Sequence, residues 1–218
     1  MIYLFSFLTF FLSVFGLQTD NKTLNDPKAK ALLDNVSKTY KGFSSIDAKI
    51  TLVTENPQAN KTTTQNGSVY IKGEKYKIDM GRQEVYCDNK SVWTYLKDIN
   101  EVQINDYEPN KEDITPSNMF TIYKNDFNYM MNGEEVIDKA TCSIVDLMPK
   151  DKSKPFFKVR IWIDKNAKYI KRMKAFDKNG NRYTYNVTSF NSKAGLDDSF
   201  FKFDVSKHPG VKVEDLRL

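Results

Sequence analysis

The stretch from Gly67 to Leu96, GSVYIKGEKYKIDMGRQEVYCDNKSVWTYL, constrains the fold more than any other, because short runs of alternating apolar and polar residues are separated by turn-forming breaks. Val69 and Ile71 alternate with Ser68, Tyr70 and Lys72. Tyr76, Ile78 and Met80 alternate with Lys75, Lys77 and Asp79, and Trp93 and Tyr95 follow the turn at Asp88, Asn89 and Lys90. Side chains two apart on a strand share a face, so an antiparallel meander with one apolar, aromatic-rich face is expected. That face is either core or working surface.

Residues 1–16, MIYLFSFLTFFLSVFG, carry no charged side chain. The run is too short for a membrane span, which takes about 20 residues, and has the length of a signal-peptide core. It is expected to be a cleaved export signal, followed by a flexible segment over residues 17–26 and one domain over residues 27–218. The domain opens on a helix: Asp26 is a good N-cap, Pro27 suits the first helical position, and no breaker follows until Gly42. Ala29, Leu32, Leu33, Val36 and Tyr40 recur at helical spacing, a stripe that must lie on something apolar. From Ile46 the period becomes two, with Ile46, Ala48, Ile50 and Leu52 alternating with Asp47, Lys49 and Thr51.

After the meander a strand is expected around Val102 to Ile104, then a polar, mobile approach from Asp106 to Thr115. Thr115 and Pro116 can open a short helix over Asn118 to Lys124, whose Met119, Phe120, Ile122 and Tyr123 are too apolar for a surface turn. It should cover the sheet. Strand alternation resumes after Phe127; Phe157, Val159, Ile161 and Ile163 share a face, Asp177 to Gly180 is a hairpin turn, and Phe201 to Val205 is the last expected strand. The pattern predicts a mainly β fold of about ten or eleven strands with two or three helices. Neighbouring strands should pair antiparallel, and such a sheet should curl strongly or nearly close, since free edges and an exposed apolar face are both liabilities.

Lys and Arg number 33 against 28 Asp and Glu, a net charge of +5. They are interspersed along the polar faces of strands, as on a solvated surface, so no nucleic-acid partner is expected. The lone histidine, His208, sits beside Pro209 in the terminal segment, and no phosphate-cradling glycine loop or metal-ligand cluster occurs. Glu134 with Glu135 and Asp197 with Asp198 suit solvated turns. No catalytic residue, metal or cofactor is assigned. Cys87 and Cys142 can form one disulfide in an exported protein or remain two buried thiols.

The order of these segments is more specific than any one of them. The apolar leader, the amphipathic helix, the strand GSVYIK (67–72), the hairpin CDNKSVWTY (87–95) and the closing segment FKFDVSKHPGVKVEDLR (201–217) together resemble the outer-membrane lipoprotein carrier family, LolA. The resemblance covers practically all of Pro27 to Arg217. It implies a strongly curved, unclosed antiparallel β-barrel with helices over its mouth, and a cavity between sheet and helical lid that takes the acyl chains of a lipoprotein. It further implies a monomeric periplasmic carrier that receives cargo from an inner-membrane ABC lipoprotein-releasing complex and passes it to an outer-membrane acceptor. No cysteine follows the leader, which favours the soluble carrier over the lipid-anchored acceptor of the same fold. On this sequence the expected cavity residues are Leu33, Val36, Ile50, Leu52, Val69, Ile71, Tyr76, Ile78, Met80, Trp93, Tyr95, Met119, Phe120, Tyr123, Val159 and Ile161. The chain departs from the family at Gly73, where many members carry a lid-latching arginine; Lys72, Lys75 and Arg82 are the nearby cations able to replace it.

Such a carrier answers a physical need. Moving three chains of roughly sixteen carbons from a bilayer into water costs on the order of 35–40 kcal/mol, at about 0.8 kcal/mol per methylene. Each 1.4 kcal/mol or so slows release tenfold. A carrier must supply apolar surface and still let go. Met80, Met119, Met130, Met131 and Met173 offer adaptable apolar surface, and Tyr76, Trp93, Tyr95 and Tyr123 amphipathic rings; each alone suits a core, whereas as a set beside a mobile cover they suit a ligand cavity. Two other uses of the half-barrel are compatible with the sequence: a periplasmic lipid or lipoprotein sensor that binds a protein partner, and a carrier of another lipid.

Overall fold

In the computed structural model, which describes residues 23–108, 115–116, 118–121 and 123–217, the alternating segments pair into one sheet of 12 strands. The expected export signal (1–16), most of the flexible segment after it and much of the approach to Thr115 lie outside the described residues. One antiparallel meander runs through β1 (Ile46–Asn56), β2 (Lys61–Lys72), β3 (Lys75–Asp79), β4 (Gln83–Cys87), β5 (Ser91–Leu96) and β6 (Glu101–Asp106). A second runs through β7 (Phe127–Ile137), β8 (Ala140–Pro149), β9 (Phe156–Asp164), β10 (Ile170–Asp177) and β11 (Arg182–Asn191). The meanders join where β1 pairs with β11, and β12 (Lys212–Asp215) adds in parallel to β6. The order is β12-β6-β5-β4-β3-β2-β1-β11-β10-β9-β8-β7, so β12 and β7 are the edges of an unclosed, curved barrel. The hairpins turn where expected: Asn89 (φ 77°) and Gly180 (φ 86°) take the left-handed backbone such turns need.

The helix α1 (Pro27–Lys41) starts as its sequence dictates, with the Asp26 carboxylate accepting from the Lys28 N–H at 2.7 Å. Lys38 and Lys41 occupy its last turn, where cations suit the helix dipole. Its stripe of Ala29, Leu33 and Val36 is buried against Phe127, Val145, Leu147, Val159, Ile161 and Ile163 of β7, β8 and β9. Burial of Leu33 and Val36 contributes about 1.5–3 kcal/mol each.

Two expectations need correction. The helix expected over Asn118 to Lys124 is a turn at 118–121 followed by the four-residue α2 (Tyr123–Asp126). Thr115 and Asn118 cap each other as at a helix start, the Thr115 N–H donating to Asn118 Oδ1 at 2.8 Å and the Asn118 N–H to Thr115 Oγ1 at 3.2 Å, but the turn then tightens, with the Thr121 N–H donating to the Asn118 carbonyl at 2.8 Å and the Lys124 N–H to the Thr121 carbonyl at 3.2 Å. Phe201 to Val205 is not a strand but joins two 3-10 turns, Asp198–Phe201 and Val205–Lys207. Phe201 and Phe203 are buried and Lys202 exposed because this segment lies across the outer face of the sheet, which produces the same alternation as a strand without its ladder.

Candidate functional site

The concave face of the sheet is covered unequally. α1 fills it over β7 to β10, but over β1 to β4 and β11 a cavity of about 400 Å³ remains beneath Thr115, Pro116, Met119 and Phe120. Its walls are Ile46, Ala48, Ile50 and Leu52 of β1, Val69 and Ile71 of β2, Ile78 and Met80, Val85 of β4, and Tyr185, Val187 and Phe190 of β11. Among the described residues none that lines it is charged; Gln83, Thr115 and two tyrosines are its polar members. The size lies within the roughly 300–1,000 Å³ of small-molecule sites, and the lining suits an apolar ligand.

Backbone irregularities build this wall. The register of β1 with β11 slips between Lys49 and Ile50, so that Ala48 faces Phe190 and Ile50 faces Val187. Phe190 and Val187, three residues apart, thereby point the same way. A slip between Ile170 and Arg172 likewise turns both Ile170 and Met173 inward, and both line the cavity. The floor depends on Gly67: a Cβ there would meet Met80 Sδ at 2.3 Å, so only glycine lets the Met80 side chain lie across β2.

The lid is held from α1. The Phe120 ring stacks on Tyr40 with centroids 3.5 Å apart and planes 17° from parallel. The Tyr40 hydroxyl in turn accepts the Ile170 N–H at 3.1 Å, which fixes that ring against β10. At the other end of the segment the Tyr123 hydroxyl donates to Asp34 Oδ1 at 2.6 Å, and Lys30 holds Asp34 Oδ2 at 2.6 Å. The Lys30 ammonium and then the Tyr123 hydroxyl hold the Asp34 carboxyl below its ordinary 3.8. Burial and the same bond push the Tyr123 phenol up, so it stays a donor.

Ile50, Leu52, Val69, Ile71, Ile78, Met80, Met119 and Phe120, all predicted cavity residues, line this space. Leu33, Val36, Tyr123, Val159 and Ile161 line an adjoining void of only about 30 Å³ under α1, sharing Met119 and Phe120 with the cavity. Tyr76 packs on the same face among Ile46, Ala48, Ile71 and Cys87. Trp93 and Tyr95 do not belong to the cavity: they point to the outer face, where they pack with Tyr86, Val102 and Phe203. Strand β5 carries apolar residues on both faces, Val92 inward and Trp93 outward, and the larger pair turned out to serve the outer core. Met173, one of the adaptable methionines, lines the cavity too, and Tyr40, Ile46, Ala48, Val85, Ile170, Tyr185, Val187 and Phe190 line it without having been singled out for it. Ile46 and Ala48 were legible as the start of the β1 alternation; Val187 with Phe190, and Ile170, were hidden by the bulges.

Cys87 and Cys142 are both buried free thiols. They cannot meet, since Cys87 faces inward from β4 and Cys142 packs with Ile137, Ile144 and Trp162 on β8 in the other half of the sheet. Burial pushes both thiols up. The cations near Gly73 are engaged away from the lid: Lys72 and Lys75 pair with Asp198 at 2.9 and 2.6 Å on the terminal segment, and Arg82 pairs with Asp98 at 3.5 Å.

The family model of the outer membrane lipoprotein carrier protein LolA matches residues 41–204. Among solved structures, an uncharacterized conserved protein from Thermus thermophilus has a TM-score of 0.59 at 14% identity, covering 86% of this chain and 99% of its own. Lipoprotein LppX of Mycobacterium tuberculosis has a TM-score of 0.51 at 12% identity, covering 79% of this chain and 100% of its own. A LolA superfamily protein from Nitrosomonas europaea has a TM-score of 0.44 at 12% identity, covering 81% and 98%. At such identities the likeness is one of fold. No curated protein sequence matches the chain.

Proposed function

We propose, because the chain belongs to the outer membrane lipoprotein carrier protein LolA family, that its cavity takes the acyl chains of lipoproteins and shields them from water during transfer. The observation that carries this reading is the cavity of about 400 Å³ beneath a short lid, lined among the described residues by no charged side chain. Packed cores leave few voids larger than a water molecule. An apolar space of this size therefore asks for an occupant. Its walls are aliphatic and methionine side chains, which adapt to chains of differing length without fixing any one of them. Release then follows from moving the lid rather than from chemistry, so the protein acts as a carrier without a catalytic step.

In this reading residues 1–16 direct export, the domain over residues 27–218 works in the periplasm as a monomer, and cargo passes from an inner-membrane ABC lipoprotein-releasing complex to an outer-membrane acceptor. Mass spectrometry of the protein purified from its own periplasm tests it. Co-purifying acylated lipoprotein is expected. A free lipid without lipoprotein would instead assign the cavity to a carrier of another lipid.

A further inference from the structure

Beside the cavity lies a second space of about 180 Å³, between the C-terminal end of α1, the turn joining β2 to β3, and the lid. Tyr40, Ile46, Ile71 and Phe120 line both spaces, so the stacked Tyr40 and Phe120 rings stand where they adjoin. The second space differs in chemistry. Ser37 lines it at only 3% exposure, and among the described residues its hydroxyl makes no hydrogen bond. Thr39, two residues on, bonds back to the Asn35 carbonyl at 2.9 Å, the usual resort of a helical hydroxyl. Among the described residues the buried side-chain polar atom without a partner is Asp47 Oδ1, not the Ser37 oxygen; the Ser37 hydroxyl therefore opens onto this space, where a ligand can accept its hydrogen bond. Lys41 and Glu74 stand exposed at the rim. Gly73, at φ +58°, has no atom within 4 Å of where a Cβ would lie, so the turn leaves the space open.

We propose that this side space seats the head of an acylated ligand whose chain lies in the main cavity, with the Ser37 hydroxyl donating to the acyl carbonyl. The inference rests on the acyl-chain reading above and adds the part of the ligand that reading leaves unplaced. An acyl carbonyl is the polar atom closest to the chain and only accepts hydrogen bonds; Ser37 can supply the donor where the apolar walls end. The polar remainder of the head then meets Lys41 and Glu74 and the solvent.

Two lipids of equal chain length separate this idea from general greasiness: monopalmitoylglycerol carries the carbonyl, and 1-O-hexadecylglycerol lacks it. Binding of each to the purified chain is measured by displacement of a fluorescent fatty acid. Ser37→Ala, which keeps a good helix former in place, is expected to weaken the ester lipid roughly three- to tenfold, the loss of one hydrogen bond, and to leave the ether lipid unchanged. Equal losses for both, or none for the ester, would overturn the seat. If the unaltered protein binds neither lipid, the acyl-cavity reading falls and the seat with it. If it binds both and Ser37→Ala changes nothing, the seat alone falls.

Discussion

The two halves of the concave face are built from the same side chains and end in different states. Over β7 to β10, Val145, Leu147, Ile161 and Ile163 meet the stripe of α1 and leave a void of about 30 Å³. Over β1 to β4, Ile50, Val69, Ile71 and Ile78 are covered by Tyr40 at the end of α1 and the turns around Met119 and Phe120, which leave about 400 Å³. Hydrophobicity alone therefore does not mark the site. What distinguishes the halves is the cover: a 15-residue capped helix on one side, and on the other a short segment tied to that helix by the Tyr40–Phe120 stack and the Tyr123–Asp34 bond.

The difference can be broken by equal substitutions in the two halves. Ile163→Ala, in the packed half, is expected to cost about 2–5 kcal/mol because it opens a cavity in close-packed core. Ile78→Ala, beside space that already exists, is expected to cost only about 1 kcal/mol. Urea denaturation of both variants compares them; equal costs would mean that the cavity half is packed as tightly as the other. Binding should reverse the ranking. Ile78→Asp removes about 1.5–3 kcal/mol of apolar contact and is expected to weaken a sixteen-carbon fatty acid ten- to hundredfold with the fold retained by circular dichroism.

Smaller effects are expected at the cover. Tyr123→Phe removes the bond to Asp34 and is expected to ease lid opening by about 1 kcal/mol, seen as faster amide exchange at Met119 and Phe120 with little change in α1. The smallest effect is with pH. The folded Asp34 carboxyl lies below its ordinary 3.8, so its contribution is complete above that value and is lost as pH falls through the folded value. Exchange at the lid should therefore quicken on acidification below about pH 4. Asp34→Asn should lose that pH response.

Much of this architecture could be read from residues. Asp26 with Pro27 announced α1, Asn89 and Gly180 announced hairpins, and the alternations of β1 to β3 named most of one cavity wall. Period two says which residues share a face but not which face is concave, and β5, apolar on both sides, shows the consequence in Trp93 and Tyr95. Nor does it report bulges, which is why Val187, Phe190 and Ile170 entered the cavity unannounced. The outer segment around Phe203 imitated a strand because packing on a sheet and pairing within one select the same alternation.

A crystal structure of the protein soaked or co-purified with a palmitoyl lipid tests the central claim most directly. Continuous chain density between Ile50, Ile78 and Met119, with α1 unmoved on its half of the sheet, is the expected result. Chain density on the outer face by Trp93 and Phe203, or beneath a displaced α1 with the larger cavity empty, would contradict it.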